Sequence, residues 1–119
     1  MKTILVADDD EAQAWRLAYT ILGERRYNTL FAAGCSDVQY LVQHILPHLL
    51  IFYNRSSPEE GLACYDSLAP LTSFTSIPTI FITQDSERIV HEAHARNLML
   101  FEPSLEIGAL LDLIDKLLR

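Results

Sequence analysis

Five short apolar runs, each followed by a stretch whose apolar residues recur at helical spacing, limit what this chain can fold into. The first run is Thr3 to Ala7, closed by Asp8-Asp9-Asp10. From Glu11 to Leu22, Ala14, Leu17, Ala18, Ile21 and Leu22 fall on one helical face, and Gly23 offers a stop. Tyr27 to Ala33 reads as a second strand. Ser36 and Gln39 form a capping-box pair opening a helix with Val38, Leu41, Val42 and Ile45 on one side, ended by Pro47. His48 to Tyr53 is a nearly continuous apolar strand of the kind buried on both faces of a parallel sheet.

After a loop from Asn54 to Ser57, a third helix opens with Ser57 as N-cap, Pro58 at its first position and Glu60 reaching back. Thr79 to Thr83 is the fourth strand. Asp85 or Ser86 caps a helix to about Arg96, with Asn97 in the left-handed closing position. Leu98 to Phe101 is the fifth strand. Ser104 starts a last helix that turns Leu105, Leu110, Leu111, Ile114, Leu117 and Leu118 toward the core. Strict alternation of five strands and five helices over 1–119 predicts a single α/β domain, a doubly wound parallel sheet with helices on both faces. In such sheets chemistry collects beyond the carboxyl ends of the strands. Here those ends carry Asp8 to Asp10, Tyr53, Asn54, Thr83 and Glu102.

Several function classes are disfavoured. With 9 Lys and Arg against 16 Asp and Glu, the net charge is −7, and the only adjacent basic pair is Arg25-Arg26. Phosphate backbones need a basic face, so no direct nucleic-acid partner is expected. No apolar run approaches the roughly 20 residues that span a bilayer, and the amino terminus lacks the features of a signal peptide. The expected location is the cytoplasm, with no membrane partner. Two cysteines, Cys35 and Cys64, are too few for a disulfide framework and read as reduced, mostly buried thiols. Four scattered glycines make no phosphate loop. Ser56 and Ser57 lack the glycines of a nucleophile elbow, Cys64 has no evident base, and His91 and His94 have no third ligand. No catalytic set emerges, and an enzyme is not expected.

The ordered landmarks are more specific. Ile4-Leu5-Val6-Ala7-Asp8-Asp9-Asp10 resembles the opening of bacterial response-regulator receiver domains, whose first strand delivers two acids. Pro47-His48-Leu49-Leu50-Ile51 and the later Gly61 resemble the third strand and loop of that family. Ile77 to Thr83 is similar to its fourth strand, which ends in a hydroxyl residue, and Phe101-Glu102-Pro103 stands where the family has Lys-Pro. The resemblance runs the length of the chain. It implies a CheY-like, flavodoxin-like sheet of order 2-1-3-4-5 and a place in two-component signal transduction. In that family a histidine kinase supplies a phosphoryl group to an aspartate at the tip of the third strand, with Mg²⁺, a lysine and a hydroxyl around it.

Carried over residue by residue, Asp8 and Asp9 match the metal-holding acids and Thr83 the hydroxyl switch. The acceptor falls on Tyr53 when counted from Pro47 and Gly61, and on Asn54 when counted back from Pro58. Neither can form an acyl phosphate: an amide is a poor nucleophile, and a phenol of pKa about 10 is protonated at neutral pH. Glu102 reverses the charge of the lysine and is expected to crowd Asp8 and Asp9, with Arg55 as counter-charge. Met99 replaces the aromatic rotor, which leaves Thr83 a local role, bonding the chain ahead of the next helix. No cofactor is required on this reading, and Asp8 and Asp9 retain at most a weak Mg²⁺ site.

The resemblance thus implies a degenerate pseudo-receiver, a phosphorylation-independent interaction module in bacterial phosphorelay signalling. The expected partner is a signalling protein: a histidine kinase, an output protein or a regulator. The family's usual docking face, the fourth helix, fifth strand and fifth helix, spans roughly Ser86 to Arg96, Leu98 to Phe101 and Ser104 to Leu118 here. It mixes Glu87, Arg88, Glu92, Arg96, Glu106 and Asp112, and a homodimer through it is expected. The competing reading is a working receiver phosphorylated by a histidine kinase on Glu59 or Asp9.

Overall fold

In a computed structural model, which describes residues 1–54, 57–71, 77–103 and 106–119, the strands are β1 (Lys2–Asp8), β2 (Tyr27–Ala32), β3 (Leu49–Tyr53), β4 (Thr79–Ile82) and β5 (Met99–Phe101). The helices are α1 (Glu11–Leu22), α2 (Cys35–His44), α3 (Pro58–Leu68), α4 (Ser86–Ala95) and α5 (Ile107–Leu118), with a 3₁₀ turn at Ala69–Leu71 after α3. The sheet order is β2-β1-β3-β4-β5 and every pairing is parallel. The expected topology is the observed one, with strand ends displaced by one residue.

Strand alternation divides the core into two layers. Leu5, Ala7, Leu50, Phe52 and Phe81 face one way and pack with Val38, Val42, Leu62, Leu68, Ile89 and Ala93 of α2, α3 and α4. Ile4, Val6, Leu49, Ile51, Ile80 and Ile82 face the other way, toward α1 and α5. Ile4, Val6, Leu49, Leu50, Ile51, Ile80 and Phe81 are fully buried, as strands covered on both faces must be. His48 tethers the start of the central strand: its backbone N–H donates to the Thr3 carbonyl at 2.8 Å, and its Nδ1 accepts from the Thr3 N–H at 3.0 Å.

Helix starts depart from the sequence reading in instructive ways. Ser57 caps α3 as expected, accepting from the Glu60 N–H at 3.4 Å, but its hydroxyl pairs with Glu59 rather than Glu60. The Ser36–Gln39 capping box does not form. The second helix begins earlier, at Cys35, from Gly34, which gives no side-chain cap, and Gln39 reaches across to Ser67 Oγ at 3.0 Å. Glu106 precedes α5, and the expected start at Ser104 lies outside the described residues. Asn97 takes the left-handed conformation (φ 58°) as expected. After α1 that conformation falls on Arg25 (φ 61°), while Gly23 stays right-handed.

Cys35 and Cys64 are not separate thiols. They are joined as a disulfide between α2 and α3, with Cα atoms 5.7 Å apart. Their 29-residue separation hides a pairing that the sheet creates by laying the two helices side by side on one face.

Two surface carboxylates tie elements together. Asp115 accepts from the Tyr27 hydroxyl and from Arg26, joining α5 to β2. Asp66 accepts both Arg96 Nε (2.7 Å) and Nη2 (2.8 Å), joining α3 to the end of α4. Hydrogen bonds from Tyr27 and then Arg26 hold the Asp115 carboxyl below its usual range, and the Arg96 fork does the same for Asp66. A depressed native value means the native state favours the ionised form. Each pair therefore stabilises above the unfolded carboxylate value of about 3.9 and is lost as pH falls through the native value. Denaturation midpoints should stay level from pH 7 to about 5 and drop below about 4, and Asp115→Asn should flatten that acid limb.

Candidate functional site

The parallel register brings one residue from each of four strands into a row at the carboxyl edge: Asp8, Tyr53, Ile82 and Phe101. Asp8 ends β1 and is 3% exposed. Its Oδ1 accepts the Asp10 N–H at 2.9 Å, which turns the chain out of the sheet. Asp10 then caps α1, its Oδ1 accepting from Ala12 N–H at 3.0 Å and Gln13 N–H at 3.3 Å. Asp9 lies exposed between them.

At the tip of β3 the two candidate acceptor positions point to different layers. Tyr53 packs against the α1/α5 layer and lines a cleft of about 520 Å³ with Asp8, Gln13, Leu17 and Ile107. Asn54 lines a smaller cavity of about 140 Å³ with Asp8, Asp9, Glu60, Cys35 and Cys64. Both also border a third recess with Thr83 and Asp85. Of the two, only Asn54 shares a cavity with both first-strand acids.

Gly61, used in the sequence only as a landmark for counting, has a structural task beneath this cavity. A Cβ at Gly61 would lie 2.5 Å from Phe81 Cζ and 3.2 Å from Asn54 Oδ1. The missing side chain is what allows α3 to close over Phe81 and against Asn54. Nothing local in the sequence signals this, because the neighbour belongs to β4.

Thr83 is 3% exposed, just past β4. Its N–H donates to the Phe101 carbonyl at 3.1 Å, and its Oγ1 accepts the Asp85 N–H at 3.0 Å. It bonds the chain immediately ahead of α4, which is the local role expected once a receiver's partners are missing. Asp85 itself caps nothing with its side chain.

Glu102 is not a third acid beside Asp8 and Asp9. Its Oε1 accepts from Ser86 Oγ at 2.6 Å, and it lines a groove with Glu87, Val90 and Leu100 between α4 and β5. The first hydroxyl of α4 captures the carboxylate and turns it to the docking side, so the expected crowding of three acids does not arise. Met99 opens β5 on the surface, 40% exposed. The expected counter-charge, Arg55, lies outside the described residues.

Asp8 and Asp9 by themselves give too few oxygens for a Mg²⁺ site. Hard cations take six or more oxygens with carboxylates prominent among them. Here the cavity of Asp8 and Asp9 adds an amide at Asn54 and the Glu60 carboxylate, while Glu102 is held elsewhere. Among the described residues no three His, Cys, Asp or Glu side chains gather as a metal-ligand set.

The expected docking face also differs from its sequence reading. Arg88 pairs with Glu59 at 2.7 Å and with Asp85 at 3.1 Å, and Arg96 is committed to Asp66. Both cations are directed to partners in the same chain. The α4–β5 groove is left with exposed Val90 and with Leu100 beside Glu87 and Glu102, an apolar centre with an acidic rim.

Solved structures with the same architecture are numerous. The chain is similar to the chemotaxis protein CheY4 of Vibrio cholerae, with 15% identity, TM-score 0.84 and 98% of each chain covered. It is similar to a two-component response regulator from Clostridium difficile, with 16% identity, TM-score 0.81, and 100% and 97% of the two chains covered. A response regulator receiver protein from Pseudomonas putida matches with 23% identity, TM-score 0.77, and 97% and 96% covered. The fold is that of receiver domains, CheY-like as expected. No protein-family model matches the sequence. No curated protein matches it either. Among the described residues no helix is long and apolar enough to cross a membrane.

Proposed function

We propose that this chain is a receiver-like signalling module that binds a partner protein without being phosphorylated. One observation carries the reading: the tip of β3 ends in Tyr53 and Asn54, so no carboxylate is available where a receiver bonds its phosphoryl group. Two further features support it. Glu102 stands in place of the lysine and is bound to Ser86, and Thr83 is engaged by the backbone of Asp85. With an amide or a phenol in place of the acceptor carboxylate and Glu102 in place of the lysine, the tip of β3 lacks the groups a receiver uses to bond and hold a phosphoryl group.

The competing reading, phosphorylation on Glu59 or Asp9, has little geometric support. The Glu59 carboxylate is paired with Arg88 at the start of α3, turned toward α4. Asp9 lies on the surface, beside a cavity it shares with Asp8, Glu60 and the Asn54 amide. In this reading the module catalyses nothing, needs no cofactor and works in the cytoplasm.

Its docking face is α4–β5–α5, and its partner is a signalling protein whose contact surface is apolar and basic, to match Val90 and Leu100 within the rim of Glu87 and Glu102. A second copy of this chain is the weaker fit, because Arg88 and Arg96, the cations that would complement those acids, are already bound. The test is incubation with acetyl phosphate or beryllofluoride and Mg²⁺. The native chain should gain no mass and keep its sedimentation coefficient. A base-labile phosphoryl adduct would end the proposal.

A further inference from the structure

We propose that Cys35 and Cys64 form a redox-responsive thiol–disulfide pair, exchanged through Cys35, that latches the start of α2 to α3 beside the acidic cavity. The two cysteines are bonded in the structure, on two helices whose backbones approach to 5.7 Å, within the range a disulfide needs. The two sulfurs differ in access. Cys64 is buried within α3, whereas Cys35 is half-buried at the first position of α2. Incoming thiols therefore meet one sulfur.

The surroundings suit exchange at that sulfur. Ser67 Oγ lies 3.8 Å from Cys35 Sγ, donates to the Cys64 carbonyl at 2.6 Å and accepts from Gln39 Nε2 at 3.0 Å. The single Ser67 proton goes to the Cys64 carbonyl, so stabilisation of a Cys35 thiolate falls to the opening amides of α2. The exchange balances as a two-electron step. A glutathione-class thiolate attacks Cys35 Sγ, the disulfide breaks, and Cys64 leaves as the thiolate and takes up a proton. A second thiol then attacks the mixed disulfide, releasing Cys35 as a thiol and the reductant as its disulfide.

Opening the bond leaves the fold standing, because α2 stays anchored by Val38 and Val42 and α3 by Leu62 and Leu68. What it frees is the first turn of α2. Gly34 supplies no side-chain cap, so the disulfide is the covalent hold on that end. Gly34 and Cys35 also wall the cavity that contains Asp8, Asp9 and Asn54. Reduction loosens that wall, and oxidation closes it. This inference stands apart from the question of phosphorylation.

The test equilibrates the full chain in graded ratios of reduced to oxidised glutathione, quenches with iodoacetamide and counts alkylated cysteines by mass. One reversible transition between disulfide and dithiol is expected. Exchange of the Val38 amide, which closes the first turn of α2 on the Gly34 carbonyl, should rise about tenfold on reduction, while β1 and β3 hold their protection. In the single variants, Cys35 of Cys64→Ser should take up one glutathione, and Cys64 of Cys35→Ser should not. The Cys35→Ser, Cys64→Ser double variant should show the same α2 exchange in both buffers. The proposal is overturned by thiols that stay free at every ratio, by a bond that native protein never releases, by unchanged α2 exchange, or by glutathione uptake at Cys64.

Discussion

An Asn54→Asp, Glu102→Lys double variant is expected to take a base-labile phosphoryl group from acetyl phosphate in the presence of Mg²⁺, where the native chain takes none. The aspartate would join Asp8, Asp9 and Glu60 around one cavity, a carboxylate set able to hold a hard cation. It would also supply the oxyanion nucleophile that an amide cannot. Lysine at 102 would return the positive charge lost there. Asn54→Asp alone should react more slowly by on the order of a hundredfold, the worth of one positioned group at developing charge. Tyr53→Asp should react poorly, because that side chain packs toward α1 and α5. Intact-mass measurement before and after mild base separates these outcomes. Uptake by Tyr53→Asp and not by Asn54→Asp would show that Gly61, and not Pro58, is the correct landmark for the acceptor.

Phe81→Ala should be among the most damaging single changes, at about 3–5 kcal/mol, because it empties a fully enclosed aromatic site. The ring stacks on Phe52 at a centroid distance of 6.0 Å and lies directly beneath Gly61. Gly61→Ala attacks the same contact from the other side. Its new methyl would overlap a ring that Phe52 and the sheet prevent from moving, and about 1–3 kcal/mol should be lost. The two changes should not add. With the ring removed, the methyl enters the vacated space, so the double variant should be more stable than the sum of the singles by about 1 kcal/mol. Urea midpoints at constant slope measure all three. Additive losses would mean that Gly61 serves only the local backbone of α3. Because Asn54 closes on Gly61 from the other side, the same packing sets the floor of the cavity.

The features legible in the sequence are those that depend on neighbours along the chain. Runs such as Leu49 to Tyr53 are apolar throughout because both faces of a parallel strand are covered, and that pattern shows in any five consecutive residues. Ser57 before Pro58, and Asn97 after α4, act within one turn of themselves and were readable for that reason. The missing carboxylate at the tip of β3 is likewise a statement about composition over a short stretch.

What the tertiary structure alone decided are the pairings between residues far apart in the chain. Crowding of Glu102 with Asp8 and Asp9 was expected from strand order, but Ser86, sixteen positions away, holds its carboxylate on the other side of β5. Arg88 and Arg96 looked available on a docking face until α3 brought Glu59 and Asp66 to them. Cys35 and Cys64 looked like unrelated thiols until α2 and α3 were laid on one face of the sheet. Periodicity fixes which way a side chain faces relative to its own element. Which partner waits there depends on how elements close across the sheet, through contacts that local sequence does not encode.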